Sequence, residues 1–265
     1  MDTKFKSDPY NSSNALLSEN DVLNIMKSLN IQDFKVHNLS LYQQSFVHKS
    51  YTTLKDYEEY EKPDNCLPLF KLSYETIEFL GDSFLGTVIA KYLYLRYVSY
   101  HNIDEGFLTK LKIRFVCGEQ LAFLSKQLGF DAYMIISKHI EENCKGRENI
   151  HILEDIFEAF LGAIYLDHQD FALVETFIIR CIESMIDFSD IILNDNNFKD
   201  QILRYFQHNF KVHPTYRTIK NEDTNNFTCK IFKEEEYIQS GEGNTKKKAE
   251  QNASKNALIY YHVIQ

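Results

Sequence analysis

Between Tyr74 and Tyr97 the chain sets Glu75, Glu78 and Asp82 into an otherwise apolar run and then carries no charge from Phe84 to Ala90. In a helix Glu78 and Asp82 share a face one turn apart, with Glu75 on the same side. An acid pair at this spacing is ordinarily a solvated helix edge. Here Ile77, Phe79, Leu80, Phe84, Leu85, Val88 and Ile89 leave almost no polar arc for one. Carboxylates so placed need a compensating charge, and a divalent cation is the usual one. The pattern predicts a helix from about Tyr74 to Tyr97.

The same construction recurs downstream. Asp155 and Glu158 stand three residues apart on one helical face, and no charge follows until Asp167. Gly81 and Gly162, with Ala159 and Ala163, would let two such helices approach closely. Four carboxylates facing each other across that contact repel strongly unless cations sit between them. A hard-oxygen cluster suits Mg²⁺, with Mn²⁺ as a substitute, because both favour octahedral oxygen ligands and keep waters that can become nucleophiles. A structural Ca²⁺ site would more often use a loop rich in Asp, Asn and Gly.

The remainder of the 265 residues, 44% of them hydrophobic, can bury one large core or two smaller ones. Met1 to Asn14 is polar, lacks the apolar stretch of a signal peptide and reads as a disordered lead-in. No apolar run approaches membrane-spanning length, so the expectation is a soluble protein of cytoplasm or nucleus with no membrane partner. Five scattered cysteines without a C-x-x-C pair read as reduced thiols, and His139, Cys144 and His151 lack the second cluster a zinc site would need. Ser18 is placed to cap a helix carrying Val22, Ile25, Met26 and Leu29. Leu41 to Tyr51 predicts a second helix. Thr52 to Lys71, polar, acidic and broken by Pro63 and Pro68, predicts a loop outside the core. Gly106 and Thr109 introduce a helix whose Lys110, Lys112 and Arg114 form either a solvated face or a phosphate-facing one. Another helix, Leu121 to Leu128, stops at Gly129.

The net charge of −9 conceals an asymmetry. From Phe198 onward there are 11 Lys and Arg against 8 Asp and Glu, net +3; before it, 18 against 30, net −12. After a polar linker the tail reads as a helix over Lys199 to Asn209, three strands near Thr215 to Ile219, Phe227 to Phe232 and Glu236 to Gly241, and a last helix from Lys246. Lys246, Lys247 and Lys248 oppose the helix dipole, which favours anions at an N-terminus. Together with the free N–H groups there, and with Thr245 before them, they read as a phosphate-binding site, the alternative being a charged, solvated turn.

Glu75-x-x-Glu78-Phe79-Leu80-Gly81-Asp82-Ser83, with Asp155-x-x-Glu158-Ala159 and Gly162-Ala163-Ile164-Tyr165-Leu166-Asp167, closely resembles the nuclease domain of the ribonuclease III family. Phe46-Val47-His48-Lys49-Ser50-Tyr51 and Leu111-Lys112-x-x-Phe115-Val116 resemble two further segments of that domain, in register over about Leu41 to Asp167. The resemblance implies an all-α endonuclease domain in which Glu78, Asp82, Asp155 and Glu158 bind metal and catalyse, with Glu75 near the same valley. It also implies a homodimer in which Phe79 inserts into the partner subunit, beside a share in ordinary core packing. Two departures stand out: a motif Arg is replaced by Thr76, and His151 stands where some members carry a Lys.

Gly241-x-Gly243-x-Thr245-Lys246-Lys247-x-Ala249 in an α-β-β-β-α order resembles the double-stranded RNA-binding domain, a small α+β fold that reads A-form shape. Its loop at Asn221 to Asn226 is acidic and lacks that fold's usual His. The expected organisation is a disordered segment over 1–17, a nuclease domain over 18–188, a linker over 189–197 and the RNA-binding domain over 198–265. The activity implied is Mg²⁺-dependent cleavage of double-stranded RNA, leaving 5′-phosphates and 3′-hydroxyls. The alternative is a protein that binds duplex RNA with little or no cleavage, as a scaffold or a suppressor of RNA silencing.

Overall fold

Two glycines decide how the helical part of the chain packs. In the computed structural model, which describes residues 8–98, 104–193, 197–221 and 224–264, helix α3 (Glu75–Leu93) lies against helix α7 (Ile150–His168). A Cβ added at Gly81 would run into the carbonyl oxygen of Glu158, and one at Gly162 into the carbonyl oxygen of Ile77. The two main chains therefore touch. Only residues without a side chain allow that.

Around this pair the helical unit is assembled from α1 (Glu19–Ser28), α2 (Leu39–Gln44), α4 (Glu105–Phe115), α5 (Gly118–Gln127), α6 (Lys138–Asn143) and α8 (Phe171–Met185). A π-helical turn, Tyr94–Val98, ends α3. Helix α7 is buried along most of its length, from Ile152 and Leu153 to Ile164. Its Phe160 ring meets Phe130, Phe177, Tyr42 and Phe46 at centroid separations of 4.8, 5.5, 5.6 and 6.1 Å. Truncating such a ring to Ala costs about 3–5 kcal/mol. Asp167, at the other end of α7, accepts from the N–H groups of His37 and Asn38 and from the Tyr42 hydroxyl, which fixes the entry to α2.

Several sequence expectations hold here. Ser18 and Asp21 form a reciprocal capping box at α1, and α5 ends at Gly129 with φ +72°. Others are corrected. Residues 8–17 are not a disordered lead-in: Leu17 is buried, Tyr10 packs edge-on against Tyr51, and Asn11 donates to the Ile136 carbonyl and to Glu141. Residues 1–7 lie outside the described set. The helix expected over Leu41 to Tyr51 stops at Gln44, because Val47 pairs with Ile135 as an isolated parallel bridge and the backbone there bonds across rather than along the chain. Thr52 to Lys71 is irregular, as expected, yet it reaches the core. Tyr57 is buried, and Leu67, Leu69 and Phe70 pack on Val47, Tyr51 and Ile135.

The second unit is described by itself, and begins after Phe188, the first residue of the short helix α9 (Phe188–Leu193). Helix α10 (Phe198–Phe210) precedes three antiparallel strands, β1 (Pro214–Lys220), β2 (Phe227–Lys233) and β3 (Glu236–Gly243), in spatial order β1-β2-β3. Helix α11 (Lys246–Tyr260) closes it. Both helices cover one face of the sheet over Ile202, Phe206, Ile231, Ile238, Ala257 and Leu258. Lys199 ties them together, bonding Glu250 at 2.7 Å and lying over the Tyr216 ring. The α-β-β-β-α order is as read from the sequence. No helix among the described residues is long and apolar enough to cross a membrane.

Candidate active site

Helix α3 supplies Glu78 and Asp82, and α7 supplies Asp155 and Glu158, at the level where the glycines bring the two main chains together. Asp82 is exposed and Glu78 and Asp155 are half-buried, while Glu158 is 8% exposed. Burial comes first among the influences on Glu158, and Asp82, Glu154, Glu78 and Asp155 all act in the same direction, so its carboxyl is pushed up to about 8. Burial, with Asp155, Glu75, Asp82 and Glu154, likewise pushes Glu78 up to about 7. Burial raises Asp155 as well, against a hydrogen bond from Tyr74 and the positive charges of His151 and Lys49. These are carboxylates that the fold desolvates, and the charged neighbours that act on Glu78 and Glu158 are further acids.

Among the described residues no group of three or more His, Cys, Asp or Glu is gathered to metal-ligand geometry. The donor set nevertheless fits a hard divalent cation: all four groups are carboxylates, and the upward push on Glu78 and Glu158 from burial and from their acidic neighbours is what a bound cation would reverse.

Glu75 lies outside this inner group, 3.2 Å from the ammonium of Lys49 in an exposed pair. His151 is exposed with its Nδ1 3.4 Å from Glu154, and it lowers both Glu154 and Asp155. Phe79 is 77% exposed, which corrects the expectation that core packing would account for part of it. Of the α4 cations, Lys110 is exposed and Lys112 and Arg114 are half-buried.

Two residues of the site were not singled out from the sequence. Glu154 is a fifth acid, half-buried, that raises both Glu78 and Glu158. Its position beside Asp155 was a visible signal. Tyr74 donates its hydroxyl to Asp155 Oδ2 at 2.8 Å across 81 positions of sequence. No local pattern announces such a bond.

In the second unit Lys246, Lys247 and Lys248 are exposed at the start of α11. The Thr245 hydroxyl caps that helix, accepting the Lys248 N–H at 3.2 Å. Glu222 and Asp223 of the acidic loop lie outside the described residues.

Acids clustered where two helices make main-chain contact, followed in the same chain by a basic α-β-β-β-α module, define a two-domain protein of the nucleic-acid-processing class. Residues 38–185 match the Ribonuclease-III-like family model and residues 198–261 the double-stranded RNA binding motif. The probable ribonuclease 3 of Acanthamoeba polyphaga mimivirus is 34% identical over 260 residues, 95% of this chain. The chain spans 47% of that viral relative, about half its length. The ribonuclease 3 of Enterococcus faecalis is 34% identical over 225 residues, 84% of this chain and 90% of its own length. A solved nuclease domain of ribonuclease III from Campylobacter jejuni aligns over 63% of this chain and 98% of its own at 26% identity, with a TM-score of 0.49. The chain belongs to the ribonuclease III family of endoribonucleases.

Proposed function

We propose that the protein is a divalent-cation-dependent endoribonuclease that hydrolyses double-stranded RNA, with Mg²⁺ as the ordinary ion and Mn²⁺ as a substitute, held by Glu78, Asp82, Asp155 and Glu158. The observation that carries this reading is the uncompensated burial of Glu158 and Glu78 where α3 and α7 touch. When bound, the ion supplies an activated water and stabilises developing negative charge on a phosphodiester. The carboxylates hold that ion, and the desolvation that raises them strengthens their grip once they ionise. The oxygen of water bonds to phosphorus, the P–O3′ bond breaks, and a proton goes to the departing oxygen, leaving a 5′-phosphate and a 3′-hydroxyl.

The second unit brings the duplex to this site. Lys246, Lys247 and Lys248 meet its phosphates, and contacts of that kind recognise shape with little sequence readout. A homodimer places two such sites along one duplex. Phe79, an exposed aromatic on the outer side of α3, supports it as the anchor between copies.

The test is purified protein with long duplex RNA and Mg²⁺. Cleavage to short products bearing 5′-phosphates, abolished by Glu158→Gln and by chelation, is expected. Absent cleavage by the unmodified protein, or undiminished cleavage by Glu158→Gln, overturns the reading.

A further inference from the structure

Tyr74 is 2% exposed, yet the far end of its ring reaches the clustered acids. Its main chain is pinned at both ends: the N–H donates to the Val47 carbonyl at 2.8 Å, and its carbonyl accepts from Ile77 and Glu78 at 2.8 and 2.9 Å as α3 begins. Its ring packs on that of His48, centroids 5.9 Å apart. His48 is itself fixed, its Nδ1 accepting the Ser50 N–H at 3.1 Å while Ser50 Oγ accepts from the Ser137 N–H at 3.0 Å. The phenol is thus a short rigid arm from the start of α3 to Asp155 on α7.

A buried hydroxyl needs an acceptor, and a main-chain carbonyl would satisfy it. Tyr51 does that, donating to the Leu67 carbonyl at 2.9 Å. Tyr74 instead donates to one oxygen of a site carboxylate. We propose that Tyr74 is a positioning residue for the divalent cation: by holding Asp155 Oδ2 it sets the rotation of that carboxylate, whose Oδ1 would remain available to the ion. The role rests on the cation reading of the site, and it extends that reading to a residue that contacts neither ion nor RNA. Groups that orient a metal-binding carboxylate from behind lower its reorganisation on binding, and their loss weakens the ion's hold 10–100-fold.

The experiment is calorimetric titration of Mn²⁺ into the metal-free full-length protein and into Tyr74→Phe. The variant is expected to bind Mn²⁺ about 10–100-fold more weakly while melting in EDTA close to the unmodified protein. The Mg²⁺ concentration for half-maximal duplex cleavage shifts by the same factor, and the rate recovers at saturating Mg²⁺. Genetically encoded 4-aminophenylalanine at position 74 restores a donor on the same ring and recovers Mn²⁺ affinity. If the Phe variant unfolds, 4-fluorophenylalanine fills the same volume without a donor and carries the same expectation. Unchanged Mn²⁺ affinity in the donor-free variants, with the unmodified protein binding normally, overturns the role of Tyr74 alone. No Mn²⁺ uptake by the unmodified protein overturns the cation reading and this role with it.

Discussion

In the helical unit one candidate acid, Glu158, is buried at 8% exposure beside half-buried Glu78 and Asp155 and exposed Asp82; in the second unit Lys246, Lys247 and Lys248 all stand in solvent at the mouth of α11. Glu158 and Glu78 are desolvated and crowded, and they lie on the helix pair around which the unit is built. The lysines cost little and lie on a helix that is already capped by Thr245. A buried site of this kind is specified by geometry and by compensation withheld, so that one substitution can erase it. An exposed basic site is specified by number and is tuned by salt. The first suits chemistry at one bond, and the second suits a grip anywhere along a duplex.

The contrast is broken most strongly at Glu158. Glu158→Gln is expected to lower cleavage by roughly 10³-fold, since a site of this type draws several kcal/mol of its barrier reduction from the ion. The same change is expected to raise the melting temperature of the metal-free protein at pH 8, because it removes a desolvated acid. A gel-based cleavage assay and a thermal melt in EDTA read the two effects. Gly81→Ala comes next. A methyl group directed at the Glu158 carbonyl forces the helices apart, with an expected loss of about 3 kcal/mol in urea denaturation and of cleavage with it.

The third expectation is a pH dependence of the metal-free protein. Glu158 and Glu78 have folded values pushed up to about 8 and about 7, above the ordinary 4.5 of the unfolded chain. Between those limits the folded state holds more protons than the unfolded state, so stability falls as pH rises. The contribution is fully present below about 4.5 and gone above about 8. Melting temperatures in EDTA should decline from pH 5 to pH 8, and added Mg²⁺ should recover most at the upper end, where both acids are ionised. A flat profile would remove the contrast between the units.

The smallest effects belong to the exposed site. Replacing Lys246, Lys247 and Lys248 together by Ala is expected to weaken duplex RNA binding about 10-fold or more at moderate salt, and to reduce the salt slope by about 1 for each phosphate left without its lysine. Stability should change by less than about 0.5 kcal/mol per lysine. Thr245→Ala should cost about 1 kcal/mol through its cap and should not touch cleavage chemistry.

Much of this was legible in the residues because charge is conspicuous where it does not belong. Acids in two apolar runs located α3 and α7, and a pair of glycines foretold their contact. The α-β-β-β-α order followed from alternation and turn residues. What escaped depended on partners far along the chain. Nothing near Val47 tells that Ile135 will bond its backbone, nor near Asn11 that Ile136 and Glu141 will accept from its side chain. Tyr74 marked only the start of a helix, because its hydroxyl's partner is 81 residues away. Phe79 read as partly core because hydrophobicity alone does not tell the inside of one chain from the surface where another would dock.

The main-chain contact at Gly81 and Gly162 has one more consequence. Backbone atoms have no rotamers, so the separation of α3 and α7 at the acids works as a gauge block of set width. The span between the facing acids is then set by how far each reaches, one methylene more for Glu than for Asp. If these acids hold the proposed cation, exchanging Asp for Glu at position 82 or 155 changes the calibre of the opening rather than its charge, and would select among ions by radius.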